Sequence, residues 1–251
     1  MRVHYQLIDL RTPEMALHAL PTLMAAIRLI GFAGLNITYP CKQAVIPLLD
    51  ELAEGARSIG AVNTVVVKDG RLIGHNTDGP GWSWGFRRAL PQAKLDRVVL
   101  LGAGGAGSAV ADAVLRLGAR SLAVVDQVPA RAAALVDRLS NIHGAGRVQA
   151  EDDVARALGQ ADGLIQATPV GMDQHAGMPL PEKLLRPELW ISEVVYVPLE
   201  TELLKAARRI GCAVVDGGHM NVGQACLAFE LFTGQPADAA RMSAHFRRLL
   251  A

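Results

Sequence analysis

The sequence predicts an α/β chain of two lobes, one of them built on a doubly wound parallel sheet, and three observations carry that expectation. From Asp96 onward, apolar runs alternate with helical patterns: strands near 97–101, 121–125, 147–150, 162–166, 190–197 and 212–215, and helices near 105–117, 129–140, 152–158 and 200–210. The first of these strands enters the cluster Gly102-Ala103-Gly104-Gly105-Ala106-Gly107 and leaves into an alanine-rich helix, as a βαβ unit does. Earlier in the chain, Asp69-Gly70 divides two strand-like runs, 61–67 and 71–75, which is a hairpin signal.

Composition bounds the partners. The 251 residues are 51% hydrophobic and 20% charged, which is globular and sufficient for a sizeable core. A net charge of +1 gives no electrostatic case for nucleic acid or an anionic membrane, and no apolar run reaches the roughly 20 residues of a membrane span. Met1-Arg2-Val3-His4-Tyr5-Gln6 passes straight into a strand-like run, without the pattern of a secretory leader. Cys41, Cys212 and Cys226 are odd in number and lack ligand spacing, as reduced cytoplasmic thiols would be. His4, His18, His75, His143, His175, His219 and His245 show no ligand spacing either, so no metal is expected. Small molecules remain as partners, for a monomer or homodimer.

In chain order, residues 3–10 alternate as a strand, and Thr12-Pro13-Glu14 supplies an N-cap, a first-position proline and a first-turn acid for a helix. Pro21 interrupts that helix, so a second piece is expected from Pro21 to a stop at Gly31. Residues 34–37 read as a buried strand. Pro40 then opens a helix carrying Val45, Ile46, Leu48, Leu49 and Leu52 at helical spacing. The second hairpin strand empties into Asn76-Thr77-Asp78-Gly79. Three polar clusters, around Lys42, Asn63 and Asp78, thus fall at the ends of neighbouring strands, where open α/β sheets build sites. Residues 79–95 read as the connection between lobes, and 218–232 and 237–250 as two closing helices. The expected division is a substrate lobe of residues 1–93 completed by 219–251, and a dinucleotide lobe of 94–218.

The glycine cluster has a chemical logic. Gly102 allows a tight turn, Gly104 lets backbone approach a pyrophosphate and Gly107 lets the helix pack on its strand, while Ala103, Gly105 and Ala106 complete a helix N-terminus that favours negative charge. Asp126, at the end of the next strand, can accept both ribose hydroxyls of NAD and repels the 2′-phosphate of NADP. Gln127-Val128-Pro129-Ala130 offers no rescuing cation, and Arg131 reads as a solvated first-turn residue. NAD is therefore expected over NADP. Thr168, in Thr168-Pro169-Val170-Gly171-Met172, follows a strand end and belongs near the cofactor.

The ordered series 34–42 (GLNITYPCK), 60–64 (GAVNT), 74–79 (GHNTDG), the glycine loop, and 221–225 (NVGQA) with Phe229-Glu230 resembles the shikimate dehydrogenases over nearly the whole chain. Asp126 and the run 195–201 (VYVPLET) resemble the NAD-using quinate/shikimate branch. The resemblance implies reversible hydride transfer between a nicotinamide and a ring carbon of a cyclic hydroxy acid, with a Rossmann domain for NAD and Lys42 and Asp78 as the catalytic pair. Elementary chemistry agrees, since hydride leaves a carbinol carbon only as its hydroxyl loses a proton, and a lysine oriented by a carboxylate can take it. By the same resemblance Thr38, Asn63, Gln224 and Tyr196 face the substrate, and Val194, Gly217 and Met220 the cofactor. By residue type alone Asn63 also suits a strand cap, Gln224 a helix-surface amide, and the last three plain packing. Alternative readings are a related polyol dehydrogenase or a non-catalytic NAD-binding regulator. A regulator has no need of both Lys42 and Asp78.

The resemblance also implies an opening strand and a paired-serine motif that grips the substrate carboxylate. Met1-Arg2-Val3-His4-Tyr5 is similar to the family's second strand. An upstream start is thus expected, with residues 1–251 alone unstable or nearly inactive toward quinate and shikimate while still carrying a competent NAD lobe.

Overall fold

A computed structural model describes residues 3–250; Met1, Arg2 and Ala251, and with them the first two residues of the opening motif, lie outside the described residues. The chain divides into two compact units, Met1–His75 and Asn76–Ala251.

The first unit contains α1 (Pro13–Leu29), β1 (Gly34–Asn36), α2 (Cys41–Ala44), β2 (Glu51–Leu52), α3 (Glu54–Ile59), β3 (Thr64–Lys68) and β4 (Arg71–His75). Its sheet runs β1-β3-β4-β2, with β3 antiparallel to both neighbours and β2 parallel to β4. The hairpin forms as its sequence predicts. Asp69 and Gly70 take φ of 50° and 73°, and the turn pairs Lys68 with Arg71.

Three expectations in this unit are corrected. α1 is continuous through Pro21, begins where the Thr12 hydroxyl accepts from the Met15 amide at 3.2 Å, and buries Ala16, Leu20, Met24 and Ile27 on both sides of the proline. That apolar stripe outweighs the one helical hydrogen bond Pro21 cannot make. The helix expected through Leu52 stops at Ala44, is followed by a 3₁₀ turn at Ile46–Leu48 that contains Pro47, and gives way to β2. Leu48, Leu49 and Leu52 still pack on the core, but from a turn and a strand. Residues 3–10 form no strand: no described strand pairs with them, and Val3, Tyr5 and Leu7 are 56%, 71% and 77% exposed. Alternation alone does not hold a strand that lacks a ladder partner. α3, ended by Gly60 at φ 69°, is too short to show a period in the sequence.

The second unit contains α4 (Asp78–Ala89), β5 (Arg97–Leu101), α5 (Gly105–Arg116), β6 (Ser121–Val125), α6 (Pro129–His143), β7 (Val148–Ala150), α7 (Val154–Leu158), β8 (Gly163–Gln166), β9 (Trp190–Glu193), α8 (Glu202–Ile210), β10 (Ala213–Val215), α9 (Gly217–Thr233) and α10 (Ala239–Leu250). The sheet is parallel throughout, in the order β10-β9-β8-β5-β6-β7, so the winding reverses between β5 and β8. One apolar layer joins Trp82, Phe86, Val110, Leu135 and Met220 over one face, and the other joins Leu158, Ile191 and Leu204. Trp82 stacks on Phe86 at 4.7 Å and Phe86 meets Trp190 edge-on at 4.8 Å. Trp190 in turn lies on Gly163, where any Cβ would fall within the indole.

Residues 79–95, read as a connection, are mostly the helix α4. Its glycines are contact points: Gly81 lies against the backbone of Gly223 and Gln224, a Cβ on Gly85 would sit 2.7 Å from the His219 Cβ, and one on Gly79 would sit 2.8 Å from the Ala109 carbonyl oxygen. Pro80 falls in the first turn, where its missing N–H breaks no helical bond.

Candidate active site

In the first unit, backbone pairing gathers three of the predicted residues. The Ile37 amide donates to the Asn63 carbonyl at 2.7 Å, the Val62 amide to the Lys42 carbonyl at 2.8 Å, and the Asn63 amide to the His75 carbonyl at 3.1 Å. Thr38, Lys42 and Asn63 therefore share one edge, where β1 ends, α2 begins and β3 begins. Asn63 is buried and its Oδ1 accepts from the Thr64 hydroxyl at 3.0 Å, while Lys42 is half-buried and Thr38 exposed. The adjoining His75 has its pKa lowered by burial, against the opposing charge of Glu51.

In the second unit, the glycine loop and Thr168 meet at the point where the winding reverses. The Gly102 amide donates to the Val125 carbonyl and the Ala167 amide to the Leu101 carbonyl, both at 2.8 Å. Gly102 has φ 97°, and a Cβ there would lie 2.8 Å from the Ala167 carbonyl oxygen; one on Gly107 would strike the Gly102 carbonyl. Gly104, by contrast, has open space where its Cβ would be, and no side chain caps α5. An uncapped helix start behind an open glycine suits a pyrophosphate, with the turn from Gly102 to Gly107 holding it. Asp126 closes the loop from the next strand: its Oδ2 accepts from the Ala103 amide at 2.7 Å and its Oδ1 from the Val128 amide at 2.8 Å. Both oxygens keep lone pairs for ribose hydroxyls.

The remaining predicted residues lie on α4, α9 and the segment after β9. Asp78 opens α4, buried, with its amide taken by the Asn76 side chain at 3.0 Å. Gln224 sits on α9 beside Gly223, where Gly81 makes the closest approach of the two helices, and its amide donates to the Asn221 backbone and side-chain oxygens at 3.1 and 3.2 Å. Gly217 begins α9 against the carbonyls of Val194 and Val195, 2.6 Å from the former by its missing Cβ. Met220 is buried in the layer that also includes Val194, Ala103, Ala106 and Ala167. Tyr196 is exposed, with its ring 6.2 Å from that of Phe246 on α10. Asp216, just before Gly217, is partly raised by burial, yet His219 and Arg247 overcome that and hold it at about 2.

Two residues of this region carry no sequence motif. Gln166 and Glu193 are register partners at the ends of β8 and β9, both wholly buried. The Gln166 side-chain amide donates to the Thr168 hydroxyl at 2.7 Å and the Val170 carbonyl at 2.8 Å, and its Oε1 accepts from the Thr168 amide at 3.2 Å, which shapes the loop carrying Thr168. Burial pushes the Glu193 carboxyl up to about 8, against the pull of hydrogen bonds from Val195, Thr201 and Val194. A polar residue closing an otherwise apolar parallel strand is the one signal that could have marked either. Among the described residues no three His, Cys, Asp or Glu side chains form a metal site, and no helix is long and apolar enough to cross a membrane.

The family model described as "Shikimate dehydrogenase substrate binding domain" matches residues 1–65. The chain is 54% identical over 251 residues to a "Shikimate dehydrogenase (NADP(+))" of Streptomyces avermitilis, covering 99% of itself and 86% of that relative. It is 47% identical over 248 residues to a "Quinate/shikimate dehydrogenase (NAD(+))" of Corynebacterium efficiens, covering 98% and 87%. Among solved structures, the quinate dehydrogenase from Corynebacterium glutamicum in complex with NAD superposes with a TM-score of 0.86 at 47% identity, over 91% of this chain and 82% of that one. With the reversed winding, the open glycine loop and these likenesses together, the chain belongs to the shikimate dehydrogenase family of oxidoreductases.

Proposed function

We propose that the chain is an NAD-dependent dehydrogenase of quinate or shikimate, interconverting a ring secondary alcohol and its ketone. The observation that carries the cofactor choice is the Asp126 carboxylate seated on the glycine loop through the Ala103 amide at 2.7 Å. It brings negative charge to the ribose end of the loop, and Gln127, Val128, Pro129 and Ala130 supply no cation to offset it. The names of the Corynebacterium relatives support both the substrate class and NAD.

In this proposal residues 1–93 and 219–251 form the substrate side and 94–218 the cofactor side. When bound, the nicotinamide supplies the hydride acceptor. Lys42 serves as the general acid/base toward the reacting hydroxyl, and Asp78 orients it and accepts from a ring hydroxyl. Thr38, Asn63, Gln224 and Tyr196 pair with the remaining polar groups of the substrate, which disfavours rings that lack them. Gly102 to Gly107 hold the pyrophosphate, Asp126 the ribose, and Thr168, Val194, Gly217 and Met220 line the nicotinamide side.

A specific observation favours a second cofactor: the Streptomyces relative is named an NADP(+) form. One steady-state experiment, crossing quinate and shikimate with NAD and NADP, separates the two. NAD is expected to give at least about tenfold higher kcat/KM, equivalent to about 1.4 kcal/mol. Equal use of NADP overturns the assignment of Asp126, and no turnover in any combination by a protein that also carries the expected upstream segment overturns the enzyme reading.

A further inference from the structure

Glu193 sits at the carboxyl end of β9, 1% exposed, where a parallel strand ordinarily carries an apolar side chain. Three donors converge on it. Its Oε1 accepts from the amides of Val194 at 2.9 Å and Val195 at 3.0 Å, and its Oε2 from the Thr201 hydroxyl at 3.1 Å. Thr201 in turn accepts from the Leu204 amide at 3.3 Å and so caps α8. One side chain thus ties both ends of the segment 194–201. Between those ends the carbonyls of Val194 and Val195 abut Gly217, and Tyr196 reaches out to Phe246. Burying a carboxyl costs stability that an apolar residue would not, and the return for that cost is the fixed path of this segment.

We propose that Glu193 is a positioning residue that clamps segment 194–201, so that Val194 and Val195 keep their places against Gly217 and Tyr196 its place beside Phe246. Toward the cofactor, this inference rests on the dehydrogenase reading above, in which Val194 and Gly217 line the nicotinamide side. Glu193 itself touches neither substrate nor cofactor in that reading; it acts through the backbone it holds. Burial raises its pKa to about 8 against the pull of these three hydrogen bonds. Glu193→Gln keeps an acceptor for the two amides and turns an NH₂ toward Thr201, whereas Glu193→Leu removes every tie.

Hydrogen exchange of the unliganded protein tests the clamp without reference to activity. In Glu193→Leu, amides of 194–201 are expected to exchange at least about tenfold faster while those of β5 and β8 keep their rates, and Glu193→Gln is expected to restore the segment to within about threefold. Should Glu193→Leu not fold, Thr201→Val, which severs the Oε2 tie together with the cap on the Leu204 amide and leaves the ties to Val194 and Val195, is expected to speed exchange at the 199–201 end of the segment as well as in the first turn of α8; acceleration confined to α8 reports the cap alone and overturns the Oε2 tie. In turnover, Glu193→Leu should raise the dinucleotide KM about tenfold with a smaller change in kcat, and Gln should rescue it. Unchanged exchange in 194–201, or acceleration spread evenly over the sheet, overturns the clamp. A fast segment with an unmoved dinucleotide KM overturns its link to the cofactor. Should the unsubstituted protein show no turnover, as expected of residues 1–251 without the upstream segment, the exchange result still decides the clamp.

Discussion

At the scale of single residues, the proposed chemistry concentrates on Lys42 and Asp126. Lys42→Ala is expected to lower kcat by roughly two to four decades with a much smaller change in substrate binding, as loss of a general acid/base does. A variant with near-normal kcat removes Lys42 from the proton transfer. Asp126→Ser combined with Gln127→Arg exchanges charge repulsion for attraction, so the ratio of kcat/KM for NAD over NADP should fall by about tenfold or more. An unchanged ratio places cofactor choice elsewhere. Glu193 adds a pH dependence of stability. Its pKa is raised from 4.5 to about 8 by burial, so the folded state holds a proton that the unfolded state has released across that window. Stability from this group is complete below about 4.5 and declines as pH rises through 8. Melts of the unsubstituted protein and Glu193→Gln at pH 5 and pH 8.5 should therefore show the glutamate protein losing at least about 1 kcal/mol relative to the glutamine variant at the higher pH. A constant difference excludes the shift.

At the scale of elements, one tight constraint is where α4 crosses α9. Gly81 and Gly223 meet backbone to backbone, leaving no room for a methyl group. Gly81→Ala and Gly223→Ala should each cost about 1–3 kcal/mol by overpacking, while Gly55→Ala on α3, where nothing lies within 4 Å, should be neutral or better. Equal effects at all three positions in a denaturant titration would sink this account of the crossing. The same helix shows what a sequence can and cannot disclose. Strands β5, β6, β8 and β9 and helices α5, α6 and α8 announce themselves because each buries a continuous or periodic apolar pattern. α4 does not, since Gly79, Pro80, Gly81 and Gly85 are breakers by local propensity and become a packing surface only once α5 and α9 are present. Pro21 and Pro47 look alike in sequence and behave oppositely: the first is overridden by a long buried stripe, the second is not. The glycine loop was legible because its spacing reflects local backbone geometry. Gln166 and Glu193 were not, because their partners are amides and hydroxyls whose positions depend on the tertiary fold.

At the scale of the whole molecule, dinucleotide binding and stability are linked. A ligand that binds only the folded protein stabilises it by about 2.7 kcal/mol at a hundred times its Kd. NAD should accordingly raise the melting temperature more than NADP at equal concentration, and equal shifts would contradict the discrimination assigned to Asp126. How such a melt is observed matters, because Trp82, Trp84 and Trp190 are the only tryptophans in the sequence and all three fall in the unit Asn76–Ala251. Trp82 and Trp190 are buried in its aromatic cluster with Phe86. Intrinsic tryptophan emission therefore originates in that unit, since neither α1 nor the small four-stranded sheet contains a tryptophan. Far-ultraviolet ellipticity sums over both units. Coincident transitions by the two optical methods identify a chain that unfolds as one cooperative body, and an ellipticity change that precedes the emission change identifies a first unit that melts alone.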